Sequence, residues 1–557
     1  MENLGEGEPL ESLPLEEPLG STSGHRGSAA SDNLDRTLRS IGRGTAVMAT
    51  ATIAVVALQF FTRVIVVRNI SSDQWGEFNL GLSLASLLAL IAAFGIPTAT
   101  ARSMAYEQTL AARMALVRRA LYLSLPIAVG STLVVFAFAG QLAAPFHESG
   151  LTLVFQLFSV SIGLTMLSNV LVGIFQGLER AEPYALFIQI INPAIFLVLT
   201  AVFVFAGGGF PWVLAAYVLS WVGAFAGLVV YSYRRLPRLL ARTSDSHFTG
   251  DASGRVSFAA LSVTLFGVAT LTYVTSYADT LFLGLYQSAE IVGQYSSAMN
   301  LTRLLLVGTG TVTFIYLPIT SRLRRQQDYH GLRETYVTVT RWMALLTLPL
   351  TYVFFFDPAL SLAFAFTPNQ VGGATALSLL VLSNTIAILL GPCVPTLGGL
   401  GETHMVMWFT LASAITNILL CFLLIPPYGM IGAAIAWSVA RLVFPTLSLA
   451  RIYQEHQISP FRRTFVRPAA LSTVILVPLF LFVLPKTSVL FLPILILLPF
   501  VVFGGAILAT RSVDRGDLQF ALAVEQRFGR VARPFRRLLE SRLNPDAYLA
   551  PAPPAAP

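Results

Sequence analysis

The chain has 557 residues, of which 55% are hydrophobic and only 11% are charged. Soluble globular proteins carry about 25% charged residues, so this composition excludes an ordinary soluble domain and indicates a polytopic membrane protein. The net charge of +8 is also typical of nucleic-acid-binding proteins, and the placement of the arginines must decide between these two explanations.

The first 44 residues are polar and rich in Gly, Ser, Pro and Glu, and they cannot bury enough apolar surface to fold. We therefore expect residues 1–44 to form a disordered cytoplasmic tail rather than a signal peptide, which would need a short apolar core. Residues 511–557 are predicted to form a basic cytoplasmic tail. Residues 511–543 within it carry eight arginines and are expected to form an amphipathic helix on the inner membrane surface.

Apolar segments long enough to cross a bilayer recur along the rest of the chain. A helix needs about 20 apolar residues to span the hydrocarbon core. Fourteen segments satisfy this, at approximately 45–68, 77–99, 117–140, 151–175, 184–206, 210–232, 256–284, 291–318, 337–357, 374–397, 405–426, 429–450, 468–485 and 489–510. The predicted fold is all-α, and Asn192-Pro193 and Gly391-Pro392 are candidate bends in spans 5 and 10.

Arginines cluster in four of the polar connections between these spans, those after spans 2, 6, 8 and 12. The clusters are Arg102, Arg113, Arg118 and Arg119; Arg234, Arg235, Arg238, Arg242 and Arg255; Arg322, Arg324, Arg325 and Arg333; and Arg451, Arg462, Arg463 and Arg467. The alternate connections, such as AGGGFP and LYQSAE, are nearly free of basic residues. Basic residues favour the cytoplasmic side, so both termini are predicted to be cytoplasmic. The clusters are then orientation signals, and nucleic acid is excluded as a partner.

The chain also repeats itself weakly at a spacing of roughly 217 to 222 residues. SSDQWGEFNLGLSLASLL (71–88) is similar to QSAEIVGQYSSAMNLTRLL (287–305), which aligns Gly76 with Gly293. The segments FQGLER and LGGLGE, and LAAYVLS and GAAIAWS, match in the same order. The repeat predicts a six-helix N-lobe at 45–232 and a six-helix C-lobe at 256–450, related by a pseudo-twofold axis along the membrane normal. Residues 468–510, spans 13 and 14, are an addition.

Several of these segments resemble a known family. FTRVIVVRNISSDQWGEFNL, FGIPTATAR, GIFQGLERAEPYA, YADTLFLGLYQSAEIVGQYSSA and YGMIGAAIAWSVARLV resemble the polysaccharide-exporter flippases of the multidrug/oligosaccharidyl-lipid/polysaccharide superfamily, the group that includes the O-antigen flippases. The resemblance covers roughly residues 40–510. It implies fourteen helices in two lobes, a cavity lined by basic residues, and transport of a polyprenyl-pyrophosphate-linked glycan.

Ionisable residues inside membrane spans are costly and usually face a cavity. Arg303 in span 8 and Arg441 in span 12 are expected near the midplane, and Arg63 in span 1 in the outer half. A guanidinium binds phosphate or carboxylate in bidentate fashion and stays charged at any working pH. We therefore predict that these three arginines bind the substrate. The alternative for Arg303 and Arg441 is pairing with a backbone carbonyl or a carboxylate for packing alone.

Asp279 in span 7 aligns with Thr62, the neighbour of Arg63, in the internal repeat. Arg63 and Asp279 are therefore candidates for an ion pair that closes an outer gate. The alternatives are that each side chain reaches the outer interface separately, or that Asp279 couples transport to protons or sodium.

The sequence favours a transporter in the cytoplasmic membrane that flips a lipid-linked oligosaccharide by alternating access of two lobes. The expected partners are the lipid-linked glycan, membrane lipid, a coupling ion (proton or sodium) and glycan-assembly proteins. A multidrug extruder of the same superfamily is the alternative, but arginines in a cavity suit an anion better than a cation. An enzyme of polysaccharide assembly is less favoured, because its catalytic groups would need a long external loop. The longest expected external loop, around FDPALSLAFAFTPNQVGG, carries a single charge, Asp357. Cys393 and Cys421 lie in apolar segments, and neither a cofactor nor a metal is expected.

Overall fold

The structure is a computed structural model, and it describes residues 55–107, 109–243, 258–461, 463–480 and 492–510. Every regular element within these ranges is a helix. Lipid offers no hydrogen-bond partners to the backbone, so a segment that crosses a membrane must satisfy its backbone groups internally, as a helix does. The predicted tails at 1–44 and 511–557 lie outside the described residues, as does Lys486 between spans 13 and 14.

The residues up to Thr243 form what we call the first half of the molecule. Its helices are α1 (55–69), α2 (Ser72–Ala93), α3 (Ile96–Tyr106), α4 (Leu110–Ala137), α5 (Ala139–Ala143), α6 (Leu151–Gly177), a π-helix (Tyr184–Ile191), α7 (Asn192–Phe205) and α8 (Phe210–Thr243). The side chain of Ser71 caps α2 in a reciprocal capping box with Gln74. The buried helix α6 packs against α2, α3, α4 and α8 and forms the centre of this half.

The residues from Phe258 to His456 form the second half. Its helices are α9 (Phe258–Tyr286), α10 (Ala289–Leu304), α11 (Leu306–Arg325), α12 (Tyr329–Phe356), α13 (Pro358–Ala365), α14 (Ala374–Leu389), α15 (Cys393–Leu400) and α16 (Thr403–His456). Two further helices follow, α17 (Arg463–Pro478) and α18 (Leu492–Ala509). Gly429 interrupts α16 with φ 53° and ψ −128°, so α16 is two helices joined by a turn at the predicted boundary between spans 11 and 12.

Each of the fourteen predicted spans contains a helix or a consecutive pair of helices, and several spans are irregular. Span 2 is broken between α2 and α3, where Phe94 and Gly95 both have a positive φ. Span 5 begins as the π-helix and becomes α-helical at Asn192, and span 10 is broken at Gly391, as the predicted bends required. Gly391 has a φ of +100°, which glycine tolerates, and Pro392 cannot donate to the helix ladder. Span 8 is divided at Leu305 into α10 and α11 without any glycine or proline, and the backbone of Leu305 keeps helical dihedral angles.

Several helices extend beyond the predicted apolar spans. Helix α8 runs to Thr243 rather than 232, α4 begins at Leu110 rather than 117, and α2 begins at Ser72 rather than 77. These extra turns are polar, so a hydropathy window cannot detect them. The segment FDPALSLAFAFTPNQVGG, which connects spans 9 and 10, contains α13 and a 3-10 helix at Pro368–Gly373.

The outer surface of the bundle is apolar. Eight helical stretches within the described residues are long and apolar enough to cross a membrane. Large hydrophobic side chains such as Phe205, Leu133 and Phe422 are mostly exposed on it. A soluble protein rarely exposes such extensive apolar surface. The chain is therefore an all-α polytopic membrane protein whose exposed apolar surface faces lipid.

The two halves meet tightly at one end of the bundle, which carries Ser71, Ser288 and Asp357 and which we call the Ser71 end. A β-carbon on Gly76 of α2 would overlap the carbonyl oxygen of Ala289 in α10. A β-carbon on Gly293 of α10 would likewise overlap the carbonyl oxygen of Ser72 in α2. The contact is reciprocal, as a pseudo-twofold axis between the halves requires.

Candidate functional site

Two adjoining cavities lie beside the contact between the halves. The first has a volume of about 400 Å³ and is bounded by α1, α2 and the start of α7 on one side and by α9 and α10 on the other. The second has a volume of about 490 Å³ and lies within the second half, between α9, α10, α14 and α16. The two cavities share Met299 and Arg303 in their walls.

The three arginines selected from the sequence all line these cavities. Arg63 of α1 and Arg303 of α10 line the first cavity, and Arg303 and Arg441 line the second. Arg303 therefore lies between the other two. The sequence placed these residues on three separate spans, and tertiary packing brings them to two cavities that share part of a wall.

The electrostatic character of both cavities is positive. No aspartate or glutamate occurs among the described residues that line either cavity. Three guanidinium groups without a carboxylate in the same walls favour an anion, and burial strengthens this attraction because the local dielectric is lower than in water. The cavities can therefore hold a phosphate or a carboxylate but are unfavourable for an organic cation.

The backbone around Arg303 also supports this placement. Arg303 lies in the last turn of α10, which ends at Leu305, where the backbone N–H bonds to the carbonyl oxygen of Thr302 at 3.1 Å. The negative end of a helix dipole stabilises a cation in the last turn. This placement favours the guanidinium of Arg303, which also interacts electrostatically with the buried carboxylate of Asp279.

Asn384 of α14 fixes the orientation of Arg441. The Nε of Arg441 donates a hydrogen bond of 3.1 Å to Oδ1 of Asn384. This bond occupies only one of the donors of the guanidinium, and its two terminal nitrogens have no acceptor among the described residues. Sequence reasoning missed Asn384, because a lone asparagine in an apolar helix carries no pattern.

The first cavity combines aromatic and amide side chains. Trp75, Phe78, Phe196, Tyr217 and Tyr277 contribute aromatic surface. The amides come from Gln59, Asn79, Asn192 and Asn300. Aromatic faces and amide groups together suit a ligand that has both hydrophobic faces and hydroxyl groups, such as a sugar ring.

Polar contacts between the halves close the Ser71 end above the cavities. Gln370 bridges them, since its Nε2 donates to Oγ of Ser72 at 3.1 Å and its Oε1 accepts from Oγ of Ser297 at 3.0 Å. The side chain of Arg68 donates to the carbonyl oxygen of Phe366 at 3.1 Å. Glu148 accepts from the backbone N–H of Ala289 at 2.8 Å. These hydrogen bonds hold the two halves together at this end in the observed conformation.

The comparisons with known proteins agree with this architecture. The family model described as polysaccharide biosynthesis protein matches residues 41–324, which is just over half of the chain. The chain belongs to the polysaccharide biosynthesis protein family. A second family model, MatE, matches residues 265–423. No curated protein sequence matches the chain significantly.

Solved structures show the same fold for this member of the polysaccharide biosynthesis protein family. The lipid II flippase MurJ in an inward closed conformation superposes with a TM-score of 0.63 at 14% identity, covering 82% of this chain and 98% of that one. An inward-facing multidrug resistance MATE family transporter of the MOP superfamily has a TM-score of 0.57 at 15% identity, covering 73% and 98%. At these identities the likeness shows the fold, that of MOP superfamily transporters.

Asp279 of this family member lies outside the walls of both cavities, although its carboxylate is close enough to Arg303 to interact with it electrostatically. It is fully buried and accepts a hydrogen bond of 2.5 Å from Oη of Tyr295. Arg63 and Asp279 do not form an ion pair in the structure. The gate that the sequence predicted between them would have to form in another conformation, and it stays a prediction, as does ion coupling at Asp279.

Sequence reasoning overlooked one further charge inside a span. Arg341 of α12 is only 1% exposed and lines neither cavity. It lies close to the start of predicted span 9 and was not among the candidate residues. Its burial within α12 places it among the packed residues of the second half rather than in the site.

One group of described side chains brings three potential metal ligands together. Glu402, Glu455 and His456 have ligand atoms within 4.8 Å of one another. Arg451 forms ion pairs with both carboxylates, at 3.1 Å from Oε2 of Glu402 and at close range from Glu455. Since a cation of the protein already neutralises the carboxylates, this cluster is an ion-pair network that joins the two ends of α16.

Proposed function

We propose that this protein flips a lipid-linked oligosaccharide, attached to a polyprenyl pyrophosphate, across the cytoplasmic membrane for polysaccharide export. The observation that carries the proposal is the convergence of Arg63, Arg303 and Arg441 on two cavities that contain no acidic side chain among their described residues. The pyrophosphate is the strongest anion of such a substrate, and bidentate guanidinium contacts suit it. Membership of the polysaccharide biosynthesis protein family supports this substrate class.

In this proposal the arginine-rich connections face the cytoplasm, as do both termini, because basic residues are retained on that side. The Ser71 end then faces outward and is the closed end. The glycan headgroup would enter from the cytoplasm while its lipid tail stays in the bilayer. Separation of α2 from α10 would open the cavities outward, which is alternating access between the two halves.

The driving force would be an ion gradient, the membrane potential or removal of the product. Asp279 is the candidate coupling residue, because a buried carboxylate in a transporter can bind a proton or sodium. Proteins that assemble the glycan are the expected partners, since they would supply the substrate on one side and consume it on the other.

A multidrug extruder is the second candidate function. The fold similarity to MATE transporters, including the multidrug transporter DinF-BH at a TM-score of 0.53, favours it. The absence of acidic side chains among the described lining residues argues against export of cations, which need a counter-charge in the cavity. We therefore prefer the flippase.

The test is to inactivate the gene in cells that make the glycan and to measure lipid-linked glycan in the inner leaflet. We expect lipid-linked glycan to accumulate in the inner leaflet. Expression of the Arg303→Ala, Arg441→Ala double variant in these cells should not relieve the accumulation. Arg325→Ala, an exposed arginine outside both cavities, is the matched control and should relieve it fully. Normal export by the double variant would contradict the assigned role of the two arginines. Efflux of cationic dyes without glycan accumulation would favour the extruder.

A further inference from the structure

The second cavity lies within the second half of the molecule, whereas the first lies between the two halves. Its lining comes entirely from the second half of the molecule, so it does not depend on the contact between the halves. It is at least as large as the first cavity and is joined to it only through the shared wall of Met299 and Arg303. A pyrophosphate held between Arg63 and Arg303 leaves this space, and Arg441 within it, for another part of the substrate.

Unused hydrogen-bond donors converge on the second cavity. Asn384 is 1% exposed, and its Nδ2 has no hydrogen-bond partner, although its Oδ1 accepts from Nε of Arg441. A buried amide N–H without an acceptor costs free energy, and proteins retain few of them. Together with the terminal nitrogens of Arg441, it presents a set of donors that an anionic ligand group would satisfy.

The hydroxyl groups of the same cavity already use their hydrogens within the protein. Thr410 donates to the carbonyl oxygen of Val406 and Ser413 to that of Ala440, each at 2.7 Å. Ser276 likewise donates to Thr272 at 2.8 Å. Since each hydroxyl has a single hydrogen, these groups can only accept from a ligand. The lining therefore matches a ligand that has an anionic group and hydroxyl groups close together, and Trp437 offers an apolar face beside them.

We propose that the second cavity binds an acidic sugar of the transported glycan, distinct from the pyrophosphate. Arg441 and Nδ2 of Asn384 bind the anionic substituent, a carboxylate or a phosphate, and the hydroxyls of Ser276, Thr410 and Ser413 accept hydrogen bonds from the sugar. The pyrophosphate lies between Arg63 and Arg303. Because Arg303 separates the two subsites, the acidic sugar lies near the lipid-linked end of the glycan. This inference rests on the proposed function and names its substrate class.

The experiment uses the full-length protein in lipid nanodiscs, with binding measured by calorimetry. The probes are glucuronic acid, glucose 6-phosphate, glucose and inorganic pyrophosphate. We expect the wild type to bind the two acidic sugars at least tenfold more tightly than glucose. We expect Arg441→Gln to weaken acidic-sugar binding at least tenfold while pyrophosphate binding changes less than twofold, and Arg63→Gln to do the reverse. Preference for one acidic sugar over the other identifies the substituent.

Retained pyrophosphate binding also shows that the Arg441→Gln variant is folded. The proposal is overturned if glucose binds as well as the acidic sugars, if no sugar binds, or if Arg441→Gln weakens pyrophosphate and acidic sugars equally, which would indicate one anion site. Failure of the flippase function has a different signature, because inner-leaflet lipid-linked glycan would then not accumulate when the gene is inactivated.

Discussion

Gly76 and Gly293 occupy equivalent positions in the two halves, and each lies against the backbone of the other's helix. Gly76 faces the carbonyl oxygen of Ala289, and Gly293 faces that of Ser72. Neither position has room for a side chain, so the absence of two β-carbons determines how closely α2 and α10 approach. This reciprocal contact holds the two halves together at the Ser71 end.

Adding a methyl group at this contact should open this end. Gly76→Ala must push α2 and α10 apart, and overpacking of this kind costs about 1–3 kcal/mol, which shifts a conformational population by roughly tenfold or more. The measurement is the rate at which Ser296→Cys, in the first cavity, reacts with a membrane-impermeant thiol reagent applied at the Ser71 end. The background should have alanine at Cys393 and Cys421, both of which are buried.

Gly293→Ala should increase the labelling rate similarly, since the contact is symmetric. Gly130→Ala is the matched control, because a β-carbon there would meet nothing within 4 Å. Equal labelling rates in the Gly76→Ala and Gly130→Ala proteins would show that this contact does not control access.

Arg303 should be the most important of the three cavity arginines, because it lines both cavities. Hydrogen bonds to charged groups contribute about 1.5–3 kcal/mol each, so we expect Arg303→Gln to reduce transport by roughly one to two orders of magnitude. Transport is followed as flipping of lipid-linked glycan in proteoliposomes. Arg325→Gln should have no effect, and an Arg303→Gln protein that transports as well as this control would refute the shared role.

Exchanging the charges of Arg63 and Asp279 tests the gate that the sequence predicted. If the two side chains pair in an outward-closed state, the Arg63→Asp, Asp279→Arg double variant should transport better than either single variant, since opposite charges would again meet. Flipping in proteoliposomes measures this. A double variant no better than the single ones removes the gate and leaves Asp279 with its observed partner, Tyr295.

The bond between Tyr295 and Asp279 should stabilise the fold. Both side chains are fully buried, so Tyr295→Phe leaves a carboxylate oxygen without its donor. We expect the free energy of unfolding to fall by about 2 kcal/mol, the usual range for a hydrogen bond to a buried polar group. Thermal unfolding in detergent measures this, with Tyr428→Phe, at an exposed tyrosine, as the control. Identical melting temperatures would mean that the bond contributes nothing net.

The ion-pair network at the two ends of α16 should make stability depend on acid pH. Partial burial opposes ionisation of Glu402, but hydrogen bonds from Glu455 and Arg451 outweigh it and lower the pKa of this carboxyl below its ordinary value of 4.5. A lowered pKa in the folded state stabilises the protein above pH 4.5, and this contribution is lost as the pH falls through the folded-state pKa.

Glu402→Gln should therefore reduce the loss of stability between neutral pH and pH 4, by at most about 1 kcal/mol because the network is partly exposed. Melting temperatures across this pH range measure the effect. Glu182→Gln, which removes an exposed partner of Arg180, is the control and should not change the profile. If the melting temperatures of both variants change with pH as those of the wild type do, the charges of the network do not contribute to stability.

Much of the fold followed from local chemistry. The fourteen spans, and the irregularities at Asn192-Pro193, Gly391-Pro392 and Gly429, follow from apolar length and from the backbone properties of proline and glycine. The break at Leu305 could not be predicted, because its neighbours are ordinary helix formers and only packing determines where α10 ends. Polar helix ends such as the end of α8 were also not predicted, because hydropathy identifies the residues that contact lipid and does not identify helical backbone.

Only part of the candidate site could likewise be predicted from the sequence. The cost of burying charge selected Arg63, Arg303 and Arg441 from the sequence, because a guanidinium in a membrane span needs a polar environment wherever it lies. That argument holds for each residue alone. It cannot say which arginines share a wall, that Asn384 orients Arg441, or that Asp279 bonds to Tyr295 instead of facing Arg63.

By itself, then, the sequence determined the membrane class, the number of spans, the aligned glycines and the residues that carry charge into the bilayer, because each depends on local composition or internal repetition. The tertiary structure alone decided that Arg303 lies between two cavities, that acidic side chains are absent from their described walls, and that Gly76 and Gly293 close one end. These relationships join residues far apart in the chain, and only the packing of α1, α2, α10, α14 and α16 against one another fixes them.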